Sequence, residues 1–343
     1  MACAQRRSGG RARDVHGLGG GAEDFCRDGG GVGVALTRIA ICAFAGPETA
    51  PLQQAQEAGY FAEEGVDVRC DVATGSIQQM IGLIDGEYDM AMTAIDNVIA
   101  YDEGQGATTP RNRADLVVLL GGATDPRPLI ARPEIRGFAD LKGRRIAVDA
   151  VNTGFSFMLR QLFEDCGLGK DDYELVPVGA IKARWAAVRR GDCVAGLLGK
   201  DDAAQAVADG YTRLEADPDP WERYQGGVYT ADRRWAAANV EAVKGFIRAM
   251  LKATDWVLDP ANAAALPGLL SRHLPHLFPT PDSARSAAAE LQAPQSILKP
   301  GLPVSLEGLR VVLELRRKYG TPPAALGPAE KYLALGYYDE VAG

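Results

Sequence analysis

The sequence predicts an α/β fold made of two similarly built lobes, and two observations support this prediction. From residue 37 onward, short apolar segments alternate with amphipathic segments of helical period, which is typical of a mainly parallel sheet covered by helices. Two stretches, one around Gly86 and one around Gly191, then repeat the order helix, glycine turn, apolar strand, acidic residue, helix. A chain of 343 residues has room for about two such units.

The first series of elements runs from residue 37 to about residue 125. TRIAICAF predicts a strand, PLQQAQEAGYFAEEG a helix, and VDVRCDV a strand with strict alternation. TGSIQQMIGLIDGEYDMAMT then predicts a turn, a helix and a further strand, and ADLVVLLGG predicts a long apolar strand. The helix in this series carries the core-facing spacing i, i+3, i+4, i+7 at Ile77, Met80, Ile81 and Ile84.

The second series occupies residues 126–227 and repeats the first. DPRPLIARPEI is a proline-punctuated crossing segment, and YELVPV is a strand that follows a predicted helix. When Gly191 is aligned with Gly86, three further pairs coincide: Trp185 with Met80, Val188 with Leu83 and Asp201 with Asp96. We interpret this repetition as a second lobe.

The rest of the chain is predicted to return to the first lobe. YQGGVYTADRRWAA predicts a strand that rejoins the first sheet, and the segments after it are helical. In SLEGLRVVLELRRKYG, Ser305 is a suitable N-cap and Gly320 a suitable stop at the carboxyl end.

Composition excludes two classes of partner. The chain is 47% apolar and 24% charged, which is globular, and its net charge of −8 provides no basic stripe to neutralise nucleic-acid phosphates. No run approaches the ~18 apolar residues of a membrane-spanning helix. We therefore expect neither nucleic-acid binding nor a membrane span.

Residues 1–36 differ from the rest, because they are rich in Gly and Arg and lack hydrophobic periodicity. We expect this segment to be disordered or to be an extension that precedes the true start. A secretory leader needs an apolar stretch of ~7–15 residues. The only candidate, VGVALTRIAICAFAG, is interrupted by Arg38 and is better interpreted as the first strand, so no leader is visible.

Four segments in order resemble a known family: AQEAGYFAEEGVDV, GEYDMAMTAIDNVIAY, DLKGRRIAV and KYLALGYYDEVA. Together they are similar to the NMT1/THI5-like proteins, which include nitrate-, sulfonate- and taurine-type solute receptors of ABC importers. The resemblance covers about residues 37–343. It implies the type II periplasmic-binding-protein fold, in which two α/β lobes are joined by two crossing strands and hold ligand in the cleft between them. One lobe would comprise residues 37–125 plus 228–343, and the other residues 126–227.

The resemblance also implies partners and a location. It implies a monomeric receptor with a small-molecule ligand and no cofactor, whose further partner is an ABC permease if the chain is exported. The implied location is the periplasm. Because no leader is visible, the cytoplasm is the alternative.

Candidate ligand-binding residues follow from the position of the predicted loops. In open α/β sheets, ligands bind beyond the carboxyl ends of strands, where unpaired N–H groups and the helix dipole favour polar or anionic groups. The first lobe offers Gly46, Pro47, Glu48, Thr74, Gly75, Ser76, Thr93, Asp96 and Asn97. The second lobe offers Asn152, Thr153 and Gly154, with Lys182 and Lys200 as cations.

Structural alternatives stay open for most of these residues. Asp is a favoured N-cap, so we expect Asp96 and Asp201 to cap their own helices rather than to contact ligand. Thr74 or Ser76 could be a helix cap, the segment 46–49 a simple Gly-Pro turn, and both lysines solvated. Phe155 opens a helical stripe, so core packing is its expected role. Without an obvious Arg at the loops, a neutral or zwitterionic ligand fits as well as an anion.

An enzyme on the same fold is the main rival. The resemblance extends to thiamine-pyrimidine synthases and to desulfinase- or decarboxylase-like enzymes that use cleft cysteines or histidines. This chain lacks the Cys-rich motif of the synthases, its six cysteines show no CxxC, and alternation predicts that Cys42 is buried and inert. We therefore expect a receptor, with an enzyme or a cytoplasmic ligand sensor as alternatives.

Overall fold

The computed structural model of the protein describes residues 36–124, 127–216 and 220–342. The prediction for residues 1–36 falls outside the described residues, apart from Leu36. The described residues form ten strands: β1 (Thr37–Ala43), β2 (Val66–Val72), β3 (Met90–Ala94), β4 (Leu116–Gly121), β5 (Leu129–Ala131), β6 (Arg144–Val148), β7 (Tyr173–Pro177), β8 (Ala195–Leu197), β9 (Thr212–Leu214) and β10 (Gly227–Asp232).

Helices connect and cover these strands. Within the described ranges they are α1 (Ala50–Glu57), α2 (Tyr60–Glu63), α3 (Ser76–Asp85), α4 (Ile95–Asp102), α5 (Gly154–Asp165), α6 (Ile181–Arg190), α7 (Lys200–Ala208), α8 (Arg233–Ala238), α9 (Val240–Leu258), α10 (Leu266–His273), α11 (Pro281–Leu291), α12 (Leu306–Tyr319) and α13 (Gly336–Ala342). Short 3₁₀ turns lie at Pro47–Thr49, Phe138–Leu141, Pro220–Arg223, Pro260–Asn262 and Ala329–Tyr332.

The strands form two sheets with the same order. The first sheet is β2-β1-β3-β10-β4 and the second is β7-β6-β8-β5-β9. In each sheet the fourth strand is antiparallel to both neighbours, and it is reached by the chain directly after it leaves the other sheet. We call the first sheet with its helices the first lobe, and the second sheet with α5, α6 and α7 the second lobe. The predicted two-lobed α/β class is confirmed, whereas the domain boundaries stay a prediction.

The repetition predicted around the two glycines is present in the backbone. Helix α3 ends at Gly86 with φ of 84°, and α6 ends at Gly191 with φ of 83°. This left-handed conformation strains residues that carry a Cβ, so glycine is the expected residue at both helix ends. The corresponding helices then follow one apolar strand later, as α4 and α7.

The two lobes share part of their core. One apolar cluster lies between the first sheet and α9, and includes Ile41 and Phe246. A second cluster contains Val118 of the first sheet, Ile146 of the second sheet and Leu313 of α12. Burial of apolar surface therefore continues from one lobe into the other, which resists their separation at this side.

Two details of the predicted helices can be compared with the structure. Met80 and Ile84 of the predicted core stripe are buried, but Ile77, in the first turn of α3, is 40% exposed. The predicted cap of α12 is confirmed, since the Ser305 hydroxyl accepts a hydrogen bond from the Gly308 N–H at 3.0 Å, and the helix ends before Gly320. The described ranges contain no helix with the length and apolarity of a membrane span.

The cap of α12 provides a test of how this helix is held. Ser305→Ala removes the hydroxyl acceptor, so we expect the free energy of unfolding to fall by about 1 kcal/mol. Chemical denaturation measures this change. Ser305→Thr keeps the acceptor and serves as the control, and equal stabilities for both variants would contradict the assigned cap.

Candidate functional site

The candidate site is the junction between the carboxyl edges of the two sheets. Strands β1, β2 and β3 run parallel in the first sheet, and their ends are aligned, with Ala43 opposite Val72 and Met92. In the second sheet β6, β7 and β8 are parallel. Two crossing segments connect these edges, and the structure describes residues 122–124 and 127–128 of the first and residues 215–216 and 220–226 of the second. The loops that the sequence singled out therefore belong to this junction.

The predicted residues after β1 and β2 form tight local turns. Gly46 precedes the turn Pro47–Thr49, and its carbonyl accepts a hydrogen bond from the Thr49 hydroxyl at 2.7 Å. Gly75 is the N-cap of α3, and no side chain caps this helix, so the alternative that Thr74 or Ser76 is the cap is wrong. Thr74 is exposed and Ser76 is partly buried. Their contact with a ligand stays a prediction.

Exposed apolar side chains concentrate at the same edges. Of the seven large apolar residues that are exposed in the described ranges, four follow or end strands of these edges or begin the next helix. They are Phe44, Val72, Ile77 and Val151. An apolar surface left open beside polar loops is typical of a binding region, although single exposed apolar residues are common.

Asp96 does not have the predicted role as a helix cap. Helix α4 begins at Ile95, its N-cap is Ala94, and no side chain caps it. The Asp96 carboxylate is instead buried, with 3% of the residue exposed, and accepts a hydrogen bond from the Gly154 N–H at 2.8 Å. Gly154 is the first residue of α5, so Asp96 pairs with the start of a helix in the other lobe.

The equivalent prediction for Asp201 is also wrong. Helix α7 begins at Lys200 with Gly199 as its N-cap, which places Asp201 second in the helix, as Asp96 is in α4. The alignment of the two lobes is thus kept, but neither aspartate stands at the position from which a side chain caps its own helix.

Arg316 supplies the charge that balances Asp96. Its Nε donates to Asp96 Oδ1 at 2.6 Å and its Nη2 to Asp96 Oδ2 at 2.8 Å, a bidentate pair. Its Nη1 donates to Gln105 Oε1 at 3.0 Å, and its guanidinium lies 5.3 Å from the ring centroid of Phe157. Only 1% of Arg316 is exposed, so each of these partners replaces lost hydration.

Sequence reasoning missed Arg316, although the sequence contains a signal. Leu309, Val312 and Leu313 form the apolar stripe of α12, and Arg316 occupies its next position, i+7. An arginine on a stripe that faces the core needs a buried anion. The spacing predicts the need for a partner but not which of the many acidic residues supplies it.

Gly154 is required by the close approach at this point. A Cβ on Gly154 would collide with the Tyr224 hydroxyl and would lie 2.8 Å from Asp96 Cγ. Tyr224 belongs to the second crossing segment, so the start of α5 is enclosed by Asp96 from one side and by the crossing segment from the other. Glycine is the residue that permits such an approach.

The other predicted residues beside this point are engaged in local or interlobe bonds. Thr153 is the N-cap of α5 and donates to Asp149 Oδ1 at 3.0 Å. Asn152 Nδ2 donates to the Thr321 carbonyl at 2.8 Å, and its Oδ1 accepts from the Thr321 N–H at 3.0 Å. Asn97 Nδ2 donates to Thr93 Oγ1 at 3.0 Å. Their contacts with ligand stay predictions, and the partners already present do not favour them.

Basic residues lie on the second-lobe side. Lys182 and Lys200 are exposed in the first turns of α6 and α7. The expectation that no arginine lies at the loops is wrong, because Arg127 in the first crossing segment has its guanidinium 5.3 Å from the ring centroid of Phe155.

Arg184 is buried on α6, in an apolar stripe like that of Arg316. Burial raises the pKa of Asp149, while the charge of Arg184 opposes that rise.

Phe155 joins both crossing segments to α5. Besides Arg127, its ring lies 5.9 Å from that of Trp221 and 6.3 Å from that of Tyr224. Aromatic pairs at such separations contribute stabilising free energy in addition to that from the apolar area they bury. The expected packing role of Phe155 is therefore confirmed, but it acts at the connection between lobes rather than within one lobe.

In the described ranges, every cysteine has a raised thiol pKa and no side-chain cluster suits a metal ion. Cys42 is buried, as predicted, although Ile41 and Ala43 beside it are buried as well, and burial raises the pKa of its thiol. Burial also raises the pKa of the other three described thiols, to about 12 for Cys70. A nucleophilic cysteine needs a lowered pKa. No group of three or more His, Cys, Asp or Glu residues in the described ranges is placed to hold a metal ion.

Two α/β lobes joined by two crossing segments, with polar loops where their sheet edges meet, define the class of periplasmic-binding-protein folds. Solved structures of that class match most of the chain. The periplasmic nitrate-binding protein NrtA from Synechocystis PCC 6803 matches with a TM-score of 0.69 and 15% identity, over 90% of this chain and 88% of that one. The periplasmic aliphatic sulphonate binding protein SsuA from Escherichia coli matches with a TM-score of 0.64 and 16% identity, over 88% and 99%.

The family is identified by sequence. Residues 46–263 match the family described as NMT1/THI5 like, and the chain belongs to this family. A curated relative, 4-amino-5-hydroxymethyl-2-methylpyrimidine phosphate synthase from Aspergillus parasiticus, is 28% identical over 238 residues. That match covers 63% of this chain and 65% of the relative, so the chain spans about two thirds of the length of the relative it matches.

The buried pair of Asp96 and Arg316 should contribute strongly to the stability of the fold. Arg316→Met keeps the apolar stem but leaves the Asp96 carboxylate buried without its countercharge, so we expect the free energy of unfolding to fall by about 3–5 kcal/mol. Chemical denaturation measures the loss. Arg317→Met is the matched control, because Arg317 is the exposed neighbour of Arg316 and should change stability little. Similar losses for both variants would contradict the assigned pair.

Proposed function

We propose that the chain is a solute-binding protein that captures a small organic molecule with polar groups where the edges of the two sheets meet. Membership of the NMT1/THI5-like family supports this proposal, as does the fold shared with nitrate- and sulphonate-binding proteins. The observation that carries it is the grouping of exposed apolar side chains with polar loops at one edge of each sheet. Packing of the core does not account for this grouping, because these apolar side chains are exposed.

The ligand we propose has an apolar body as well as polar groups. Phe44, Val72 and Ile77 offer apolar surface on the first lobe, and Val151 offers it on the second. An inorganic oxyanion alone would leave this surface exposed to water, which costs roughly 25 cal/mol per Å² relative to burial. Polar groups of the ligand would pair with the loops at Gly46–Glu48 and Thr74–Ser76, and an anionic group would be balanced by Lys182 or Lys200.

The partner and the location follow from the same proposal. If the chain is exported, it acts in the periplasm and passes its ligand to an ABC permease, the role implied for relatives that are ligand-binding components of importers. The cytoplasmic alternative is a sensor that reports the ligand to another protein. Mapping the mature N-terminus in cells separates the two, because removal of an N-terminal leader supports export and an unprocessed cytoplasmic chain supports the sensor.

The first test of function is binding without turnover. In a thermal-shift screen of small organic acids, amines and pyrimidines, we expect a ligand that raises the melting temperature and is recovered unchanged by mass spectrometry. A ligand at 100 times its Kd adds about 2.7 kcal/mol to stability. Steady conversion of that compound, with the protein as the only catalyst present, would contradict the receptor function and support an enzyme.

A second test places the ligand. Ile77→Asp puts a charge into the proposed apolar wall, so we expect the affinity for the screened ligand to fall about tenfold, which corresponds to ~1.4 kcal/mol. Stability should change little, because Ile77 is already 40% exposed. Val207→Asp is the matched control, since Val207 is 46% exposed but lies in the last turns of α7. Equal affinities of both variants would move the site elsewhere.

An enzyme remains the second candidate because the curated relative is named as a synthase. If this chain shares that activity, the described cysteines do not supply an activated thiolate, since the pKa of each thiol is raised. Asp149 is the described group at the sheet edge whose environment favours its neutral form, and it would be the first residue to replace in a turnover assay.

A further inference from the structure

The contact around Asp96 joins three helices of the two lobes through a buried charge and the first N–H group of a helix. Asp96 lies on α4 of the first lobe, Gly154 opens α5 of the second lobe, and Arg316 lies on the C-terminal helix α12. One carboxylate oxygen of Asp96 accepts from both Gly154 N–H and Arg316, each at 2.8 Å. A single anion therefore connects the three elements.

The Asp96 carboxylate occupies a position at the start of α5 whose chemistry would also suit an oxyanion ligand. The first N–H groups of a helix and its positive dipole end favour an anion, and a buried guanidinium adds a full positive charge. At the start of α5 both features are present and both are already used by Asp96. The position is closed to solvent, since 3% of Asp96 and 1% of Arg316 are exposed.

Further bonds on the same side hold α12 and the chain after it against the second lobe. Asn152 makes a reciprocal pair with the backbone of Thr321, and the Tyr319 ring lies 6.0 Å from that of Phe157. Lys318 forms an ion pair with Glu164 of α5. The C-terminal helix thus contacts α5 through charged, polar and aromatic groups in addition to the buried pair.

We infer that Asp96 is a built-in anion that locks the two lobes together at the start of α5, with Arg316 as its countercharge. The lock closes this position to anionic ligands and holds this side of the junction in one arrangement whether or not a ligand is bound. Motion of the lobes during binding is then confined to the parts of the junction away from Asp96 and the start of α5.

Hydrogen exchange of the ligand-free protein tests the lock, so its outcome is independent of the proposed function. In the wild type we expect slow exchange in residues 150–158 and 314–322. Asp96→Asn removes the charge with little change of shape, and should speed exchange in both segments by about tenfold or more, while β1 and β6 keep their wild-type rates. Unchanged exchange in residues 150–158, or equally faster exchange throughout the chain, would overturn the lock.

Asp102→Asn is the matched control on the same helix. The Asp102 carboxylate is also buried and pairs with Lys331 at 2.7 Å and with the Leu116 N–H at 3.2 Å, but these contacts do not reach the second lobe. Its replacement should leave residues 150–158 at the wild-type rate. If Asp96→Asn does not fold, Arg316→Lys takes its place, because it keeps the positive charge but cannot form the bidentate pair, and unchanged rates in residues 150–158 and 314–322 of that variant contradict the lock.

A carboxylate added from solution tests whether the anion itself is what holds the segments. Asp96→Ala leaves a space that formate can fill. Sodium formate should restore slow exchange in residues 150–158, and sodium chloride at the same concentration should not. Equal effects of both salts, or no effect of formate on the folded variant, would show that the position does not act through a bound carboxylate.

Discussion

The burial of one ion pair, Asp96 with Arg316, is the constraint on which the arrangement of the two lobes depends. Two charges withdrawn from water must recover their hydration from fixed protein groups, or the fold loses several kcal/mol. Here those groups come from α5, from Gln105 and from the Phe157 ring. Since the groups belong to both lobes and to the C-terminal helix, satisfying the pair also fixes how these parts meet.

The two lobes share one plan but use it differently. Both sheets have the same strand order, and both have an antiparallel strand contributed by the chain as it returns from the other lobe. The equivalent aspartates also share the second position of their helices. The first lobe directs its aspartate at the partner lobe, where Gly154 leaves room for it. The role of Asp96 therefore comes from the groups that lie opposite it and not from the local structure that the two lobes share.

The polar loops at the junction differ in the side-chain partners that they have within the protein and in how exposed they are. Thr93, Asn97, Asn152 and Thr153 already have side-chain partners within the protein. Exposed surface at the junction is found at Phe44, Thr74, Ile77 and Val151. A ligand gains most where polar groups and apolar surface are both available, because groups that are already paired must give up a bond to accept it.

Much of the architecture follows from the sequence alone, because its causes are local. Many features depend on residues a few positions away or on the period of one element. They include the apolar stripes of the helices, the glycine turns at Gly86 and Gly191 and the Ser305 cap. The order and spacing of such local features also identified the family.

The roles of the site residues were decided by the tertiary structure. Asp96 and Arg316 are 220 residues apart, and nothing near Asp96 distinguishes it from Asp201, which the sequence places in the same local setting. Local preference predicted a helix cap for both. The actual partner of Asp96 exists only after α5 and α12 have been brought together, because the free energy of a buried charge depends on the groups around it in space and not on its neighbours in the chain.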